Sequence, residues 1–214
     1  MAKAKPMGLM VAGLNFARAA EDEWNDWYDT EHIPERARIQ GFGMIQRWLG
    51  ADDPKISIAT YDLDSVDVLE CAEYKAVSGN NASPWSRRLL GQAERICRLV
   101  AEQTLPGRKT APAEAGGALL FAMNVKPEAE ADFNAWYNEE HVPNLAAVPG
   151  TLCARRFKTN GGSHKYVAFY HLTGPEVVTS EAWKKAVETP WTHRIRPQTL
   201  DRLRIVLRRY KRNA

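Results

Sequence analysis

The chain has 214 residues and a formal net charge of +3, with 44% hydrophobic and 26% charged residues. This suits one large or two small globular domains with a proper core, and apolar runs such as residues 117–123 are far too short for a bilayer-spanning helix. The small basic excess lies mostly in Arg202, Arg204, Arg208, Arg209, Lys211 and Arg212, without a nucleic-acid motif, so no nucleic-acid or membrane partner is expected.

In chain order, the charged start Met1 to Pro6 lacks a following apolar region and is not expected to be a secretory signal. Residues 9–16 read as a strand, and 20–32 as a helix with acidic residues near its start. Residues 41–49 and 55–63 read as strands, the latter rich in β-branched and aromatic residues, and 66–77 as a second helix. Pro84 then suits the first position of a short helix, and 95–101 closes the segment as a strand. Residues 103–116, with Pro106, Gly107, Pro112 and Gly116 and no apolar periodicity, read as a linker. The same order follows again: strand 118–125, helix 127–141, strands 150–158 and 165–172, helix 176–187 and strand 200–207. In the last strand Leu203, Ile205 and Leu207 alternate with more polar positions. Cys71, Cys97 and Cys153 are odd in number and form no C-x-x-C pair, which argues against disulfides or zinc and for a cytoplasmic location.

The two halves are copies in sequence as well. Trp24 to Pro34 aligns with Phe133 to Pro143 at an offset of 109, so that His32 matches His141. At that offset Gly41 matches Gly150, Arg47 matches Arg156 and Tyr61 matches Tyr170. Ser83, Pro84 and Trp85 match Thr189, Pro190 and Trp191 after small length changes. The expected organisation is therefore a duplicated unit, 1–105 and 117–214, joined by 106–116. Each unit is β-α-β-β-α-β, the ferredoxin-like order of an α+β protein. Its sheet carries helices on one face only, so the bare faces of the two sheets should meet.

The repeated W-Y-x-x-E-H-x-P segment holds the candidate chemistry. On a helix, Tyr28 and His32 are four residues apart and can touch, as can Tyr137 and His141. Pro34 and Pro143 should end or kink the helix near the histidines, leaving them beside free carbonyls that favour the imidazolium form. His32, His141, Tyr28 and Tyr137 are thus candidate acid–base residues. Trp27 and Trp136 could line a pocket for a small aromatic or carbonyl compound, although aromatics at this spacing also suit a core. Glu31 and Glu140 could contact substrate, cap backbone groups after the kink or pair with Arg47 and Arg156. Trp85 and Trp191 suit a pocket mouth, and Arg88 and Arg194 could hold an anionic group. No third ligand recurs at metal-site spacing, so no metal or other cofactor is expected. The copies differ at Arg87 against His193 and at Asp62 against His171, so the two pockets need not be equivalent.

With its P-G or Q-G turn and a following strand ending in Arg-aromatic, this segment resembles the EthD-like branch of the dimeric α/β-barrel superfamily, over nearly all of both repeats. The resemblance implies ferredoxin-like units whose antiparallel sheets pack into an α/β barrel, here within one chain, with a small pocket between sheet and helices in each unit. It also implies that His32 and His141 face those pockets. Members of the superfamily include polyketide cyclases, quinone-forming monooxygenases, isomerases, lyases, haem-handling proteins and many without known activity. The first expectation is cofactor-independent isomerase, cyclase or lyase chemistry on a small aromatic or carbonyl compound, with a pH limb near 6 to 7. A non-catalytic ligand-binding or stress protein, a haem protein and a cofactor-free monooxygenase are the alternatives. The fused chain is expected as a monomeric pseudo-dimer or as a homodimer.

Overall fold

A computed structural model describes residues 4–212; the first three residues of the charged N-terminal run, read above as no signal, lie outside the described residues. The first half runs β1 (Gly8–Asn15), α1 (Glu21–Trp27), a π-helical turn (Tyr28–His32) and α2 (Ile33–Ala37). Then come β2 (Phe42–Gly50), β3 (Ile56–Leu63), α3 (Ala72–Ala76), α4 (Pro84–Gln92) and β4 (Glu94–Leu105). The second half repeats the order with β5 (Gly117–Val125), α5 (Glu130–Trp136), a π turn (Tyr137–His141) and α6 (Val142–Ala146). It ends with β6 (Thr151–Thr159), β7 (Tyr166–Leu172), α7 (Glu181–Val187), α8 (Pro190–Ile195) and β8 (Thr199–Arg209). No helix among these residues is long and apolar enough to cross a membrane.

All eight strands form one closed antiparallel barrel in the order β1-β3-β2-β8-β5-β7-β6-β4. The bare sheet faces do meet, and the sheet edges also join. β2 pairs with β8 from Trp48↔Arg209 to Gly50↔Leu207, and β4 with β6 from Ala101↔Thr159 to Leu105↔Arg156. Closure leaves no strand edge unpaired around the barrel, which removes the usual site of edge-to-edge aggregation.

Strand alternation sorts the side chains into three cores. Leu9, Val11, Trp48, Leu120, Phe157 and Phe169 point into the barrel, where Ala101, Ala118 and Ala122 make room for the larger rings. Met10, Tyr61 and Leu63 face outward onto Trp24, Trp27 and Leu89 of the first helical layer. Leu119, Tyr170 and Leu172 do the same with Phe133, Trp136 and Ile195 in the second.

Residues 106–116 are not a free spacer. Asp62 of β3 and Arg155 of β6, both almost wholly buried, reach across the barrel to pair at 2.7 Å. The other Asp62 oxygen accepts from the Ala111 N–H at 2.7 Å, and Arg155 donates to the Lys109 carbonyl at 3.2 Å. Gln46 donates to the Pro112 carbonyl and Gln103 exchanges two bonds with Lys109. Side chains from both halves thus lash the connection over the barrel end, and Ala111 and Ala115 are buried there.

Gly41 and Gly150 open β2 and β6 with φ of +92° and +90°, and their carbonyls accept from Asp64 and Thr173. A Cβ at Gly41 would lie 2.6 Å from a Val68 methyl. Gly41→Ala should therefore cost about 1–3 kcal/mol by urea denaturation, for the backbone strain alone; a loss below about 0.5 kcal/mol would contradict this account of the turn.

Candidate functional site

The acidic first turn of α1, with Glu21, Asp22 and Glu23, complements the positive helix end, and Trp24 and Trp27 anchor the helix to the sheet. Of the two outcomes expected at Pro34, an end or a kink, the helix takes the second: it is interrupted at His32 but does not stop there. The Ile33 N–H reaches back five residues to the Tyr28 carbonyl, and helical structure continues to Ala37 with Pro34 in the first turn of α2. The wider π turn spares Pro34 the clash that a regular turn imposes, and such turns recur at functional sites. Val142 and Tyr137 repeat the arrangement.

The expected imidazolium preference fails with the expected helix end. Burial, reinforced by Arg36 and Arg47, pushes the His32 imidazole well below its ordinary value of 6.5. Burial, with Arg196 and Arg156, lowers His141 to about 3. His171, fully buried in the barrel beside Phe169 and Trp48, is held well below 6.5 by burial and by Arg155 and Arg209. All three are neutral at pH 7. On acidification the unfolded chain takes up protons near pH 6.5 that the folded chain refuses until the lowered values are reached. Stability should therefore fall from pH 6.5 downward, by up to about 1.4 kcal/mol per pH unit for each imidazole. Denaturation between pH 6.5 and 4.5 measures this, and His141→Gln should flatten the dependence; an unchanged slope would refute the assignment.

Nor does tyrosine hydrogen-bond to histidine. The His32 ring packs 4.4 Å from Trp27 and meets the Tyr28 ring edge-on at 5.2 Å; His141 lies 4.2 Å from Trp136 and 5.1 Å from Tyr137. Nδ1 of His32 and of His141 is sealed off without a partner among the described residues, leaving Nε2 as the nitrogen open to the pocket. Arg47 stacks on Tyr28 at 4.2 Å and bonds Asp29 and Asn25, not Glu31; Arg156 bonds Asn138 and Asn134, not Glu140.

Glu31 instead accepts from the Ser83 and Ser86 hydroxyls, and Ser86 also receives the Trp27 indole N–H at 2.9 Å. Glu140 accepts from Thr189, while Thr192 receives the Trp136 indole N–H at 3.2 Å. These glutamates bracket the π turn to the start of α4 or α8. Trp85 lies within α4, not in a loop, and donates with Arg88 to Glu23 of α1. Trp191 and Arg194 donate likewise to Asp132. Positions 85 and 88 share the α4 face turned to α1, so Trp85, Trp191, Arg88 and Arg194 lie outside both histidine pockets.

The histidine pockets are unequal. His32 opens on a cavity of about 570 Å³ with Trp27, Tyr28, Tyr61 and Tyr74 in its wall. His141 opens on one of about 230 Å³, walled by Phe121, Leu145, Tyr170 and Trp183. At the offset of 109, Phe121 replaces Ala12, Leu145 replaces Arg36 and Trp183 replaces Tyr74, which accounts for the lost space. Tyr61 is the residue the sequence reading passed over. Its hydroxyl is buried without a partner among the described residues, its ring lies 6.5 Å from that of His32, and burial holds the phenol protonated, well above 10. A separate cleft of about 560 Å³ lies between α1 and the end of β8, where Arg212 pairs with Asp26 and Asp29.

No family model matches the chain, and no curated protein matches it in sequence. Solved structures share its fold. A monooxygenase candidate from Fusobacterium nucleatum aligns with a TM-score of 0.70 at 12% identity, over 98% of this chain and 94% of the other. An anthrone oxidase-like protein aligns at 0.63 and 15% identity, over 96% and 95%. A heme-binding protein from Thermus thermophilus aligns at 0.61 and 10% identity, over 97% and 92%. The chain thus has an α+β fold with a closed, antiparallel eight-stranded barrel, as two ferredoxin-like units would build.

Proposed function

We propose that the chain is a small-molecule enzyme whose first pocket removes a proton from a phenolic or carbonyl-activated position of an aromatic compound. His32 Nε2 is the general base, and the Tyr61 hydroxyl donates to the oxygen that becomes negative. The observation that carries this reading is the pairing of a neutral histidine with an unpartnered, protonated tyrosine hydroxyl in one aromatic cavity. Tyr28 and Trp27 position the imidazole by packing on it. Reprotonation elsewhere gives isomerase, cyclase or lyase chemistry; capture of the carbanion by dioxygen gives a cofactor-free oxygenation, which the monooxygenase-like neighbours favour. The base is weaker than an ordinary histidine, so activity should fall through a limb below pH 6.5 rather than between 6 and 7.

Incubation with phenols and enolisable aryl ketones in D2O, followed by proton NMR and an oxygen electrode, tests the reading. Deuterium incorporation or oxygen uptake supports it, and neither with any member of the panel sinks it.

Haem fits the site poorly. An iron-ligating histidine nearly always donates its second N–H to a carboxylate, carbonyl or water, and Nδ1 of His32 and of His141 meets no acceptor among the described residues. The proposal further takes the chain as a gene duplication of EthD-like ancestry, working in the cytoplasm as a pseudo-dimer. Its support is the shared motif and element order at one constant offset.

A further inference from the structure

We infer that the first pocket is built for an aromatic acid, its carboxylate gripped by Arg95 and Arg98 of β4 while the ring lies against the tyrosines. This rests on the proposed function only in sharing its pocket. Four arginines line the cavity, Arg36, Arg87, Arg95 and Arg98, and no aspartate or glutamate joins them among the described residues. Arg36 is already committed to Glu35 and to the Val77 carbonyl, and Arg87 to the Ala82 carbonyl. Arg95 and Arg98 form no ion pair among the described residues, although this chain pairs many of its surface charges.

Their placement follows from register. Arg95 stands opposite Leu14 and Arg98 opposite Ala12, on the sheet face that carries the pocket wall. Arg98 reaches the Tyr74 hydroxyl at 3.4 Å, so a guanidinium borders the aromatic wall. A planar guanidinium takes a planar carboxylate through two parallel N–H bonds, and a carboxylate attached to a ring keeps both groups in one plane. The volume of about 570 Å³ accommodates two or three fused rings.

The second pocket supplies the contrast. Arg204 stands opposite Phe121 as Arg98 does opposite Ala12, but Phe121 fills the space, Leu145 stands where Arg36 would, and Glu188 enters the lining. The second pocket keeps Lys184 and Arg204, but with Glu188 beside them and less than half the volume it lacks the acid-free arginine pair of the first.

Isothermal titration of the full chain with 2-naphthoate and with neutral 2-naphthamide tests the inference. The acid should bind at least tenfold more tightly than the amide. The double variant Arg95→Gln/Arg98→Gln should erase that preference while the amide still binds, which also shows that the variant is folded. Equal affinities, no naphthoate binding at millimolar concentration, or a preference that survives the double variant would overturn the inference. The preference should persist in His32→Gln, so a pocket that binds the acid but exchanges no deuterium would defeat the proposed chemistry and leave the acid site standing.

Discussion

Asp62→Ala should destabilise the chain by about 3–5 kcal/mol in urea denaturation, because it strands the Arg155 guanidinium inside the barrel. Nε and Nη2 of Arg155 already lack protein partners, so the carboxylate is the main compensation for burying that charge. The same substitution removes the acceptor of the Ala111 N–H and loosens the connection across the barrel end. Replacing both partners, as in Asp62→Leu/Arg155→Leu, should recover much of the loss, since no charge is then left buried. Asp67→Ala, which breaks the exposed pair with Lys5, should barely move the melting temperature. A loss below about 1 kcal/mol for Asp62→Ala would mean that water reaches Arg155 and that the barrel end is open.

The second large effect concerns turnover. His32→Gln keeps much of the side-chain volume but removes the imidazole base of the first pocket, and should lower the exchange or oxygenation rate about 10²- to 10⁴-fold. His141→Gln should leave the rate within about twofold, because its pocket is too small and too apolar for the same substrate. Tyr61→Phe removes the donor to the developing oxyanion while keeping the ring and should also lower the rate. Equal losses in the two histidine variants would mean that both pockets work. No loss in His32→Gln would remove the general-base role.

The order of elements along the chain was legible because β-branched and aromatic runs stand between turn residues, and because the second copy repeats the pattern; the joining of β2 to β8 and of β4 to β6 was not. Helix ends were less legible. Pro34 reads as a stop only while each N–H is assumed to reach back four residues, and the π turn breaks that assumption. The continued helix removes the free carbonyls expected beside His32, and burial, which the sequence does not display, lowers its imidazole further. Trp85 and Arg88 were expected at a pocket, but their three-residue spacing on α4 turns both toward α1.

The arginines of the first pocket come from positions 36, 87, 95 and 98 on three different elements, so no local pattern announces them. A signal did exist. At the offset of 109 the copies exchange Arg36 for Leu145 and Ala12 for Phe121, and such mismatches between matched positions mark where two pockets part. Tyr61 recurs as Tyr170, but recurrence alone does not tell a pocket hydroxyl from a core ring. The mismatch of Asp62 with His171 was visible too, yet only barrel closure brings Asp62 opposite Arg155.

The most direct test of a neutral histidine working in one pocket is nitrogen-15 NMR of the imidazole rings at pH 7, with and without 2-naphthoate. The account predicts neutral rings for both His32 and His141, with the acid shifting the signals of His32 alone. A protonated His32 in the free chain, or a response at His141 with none at His32, would contradict it.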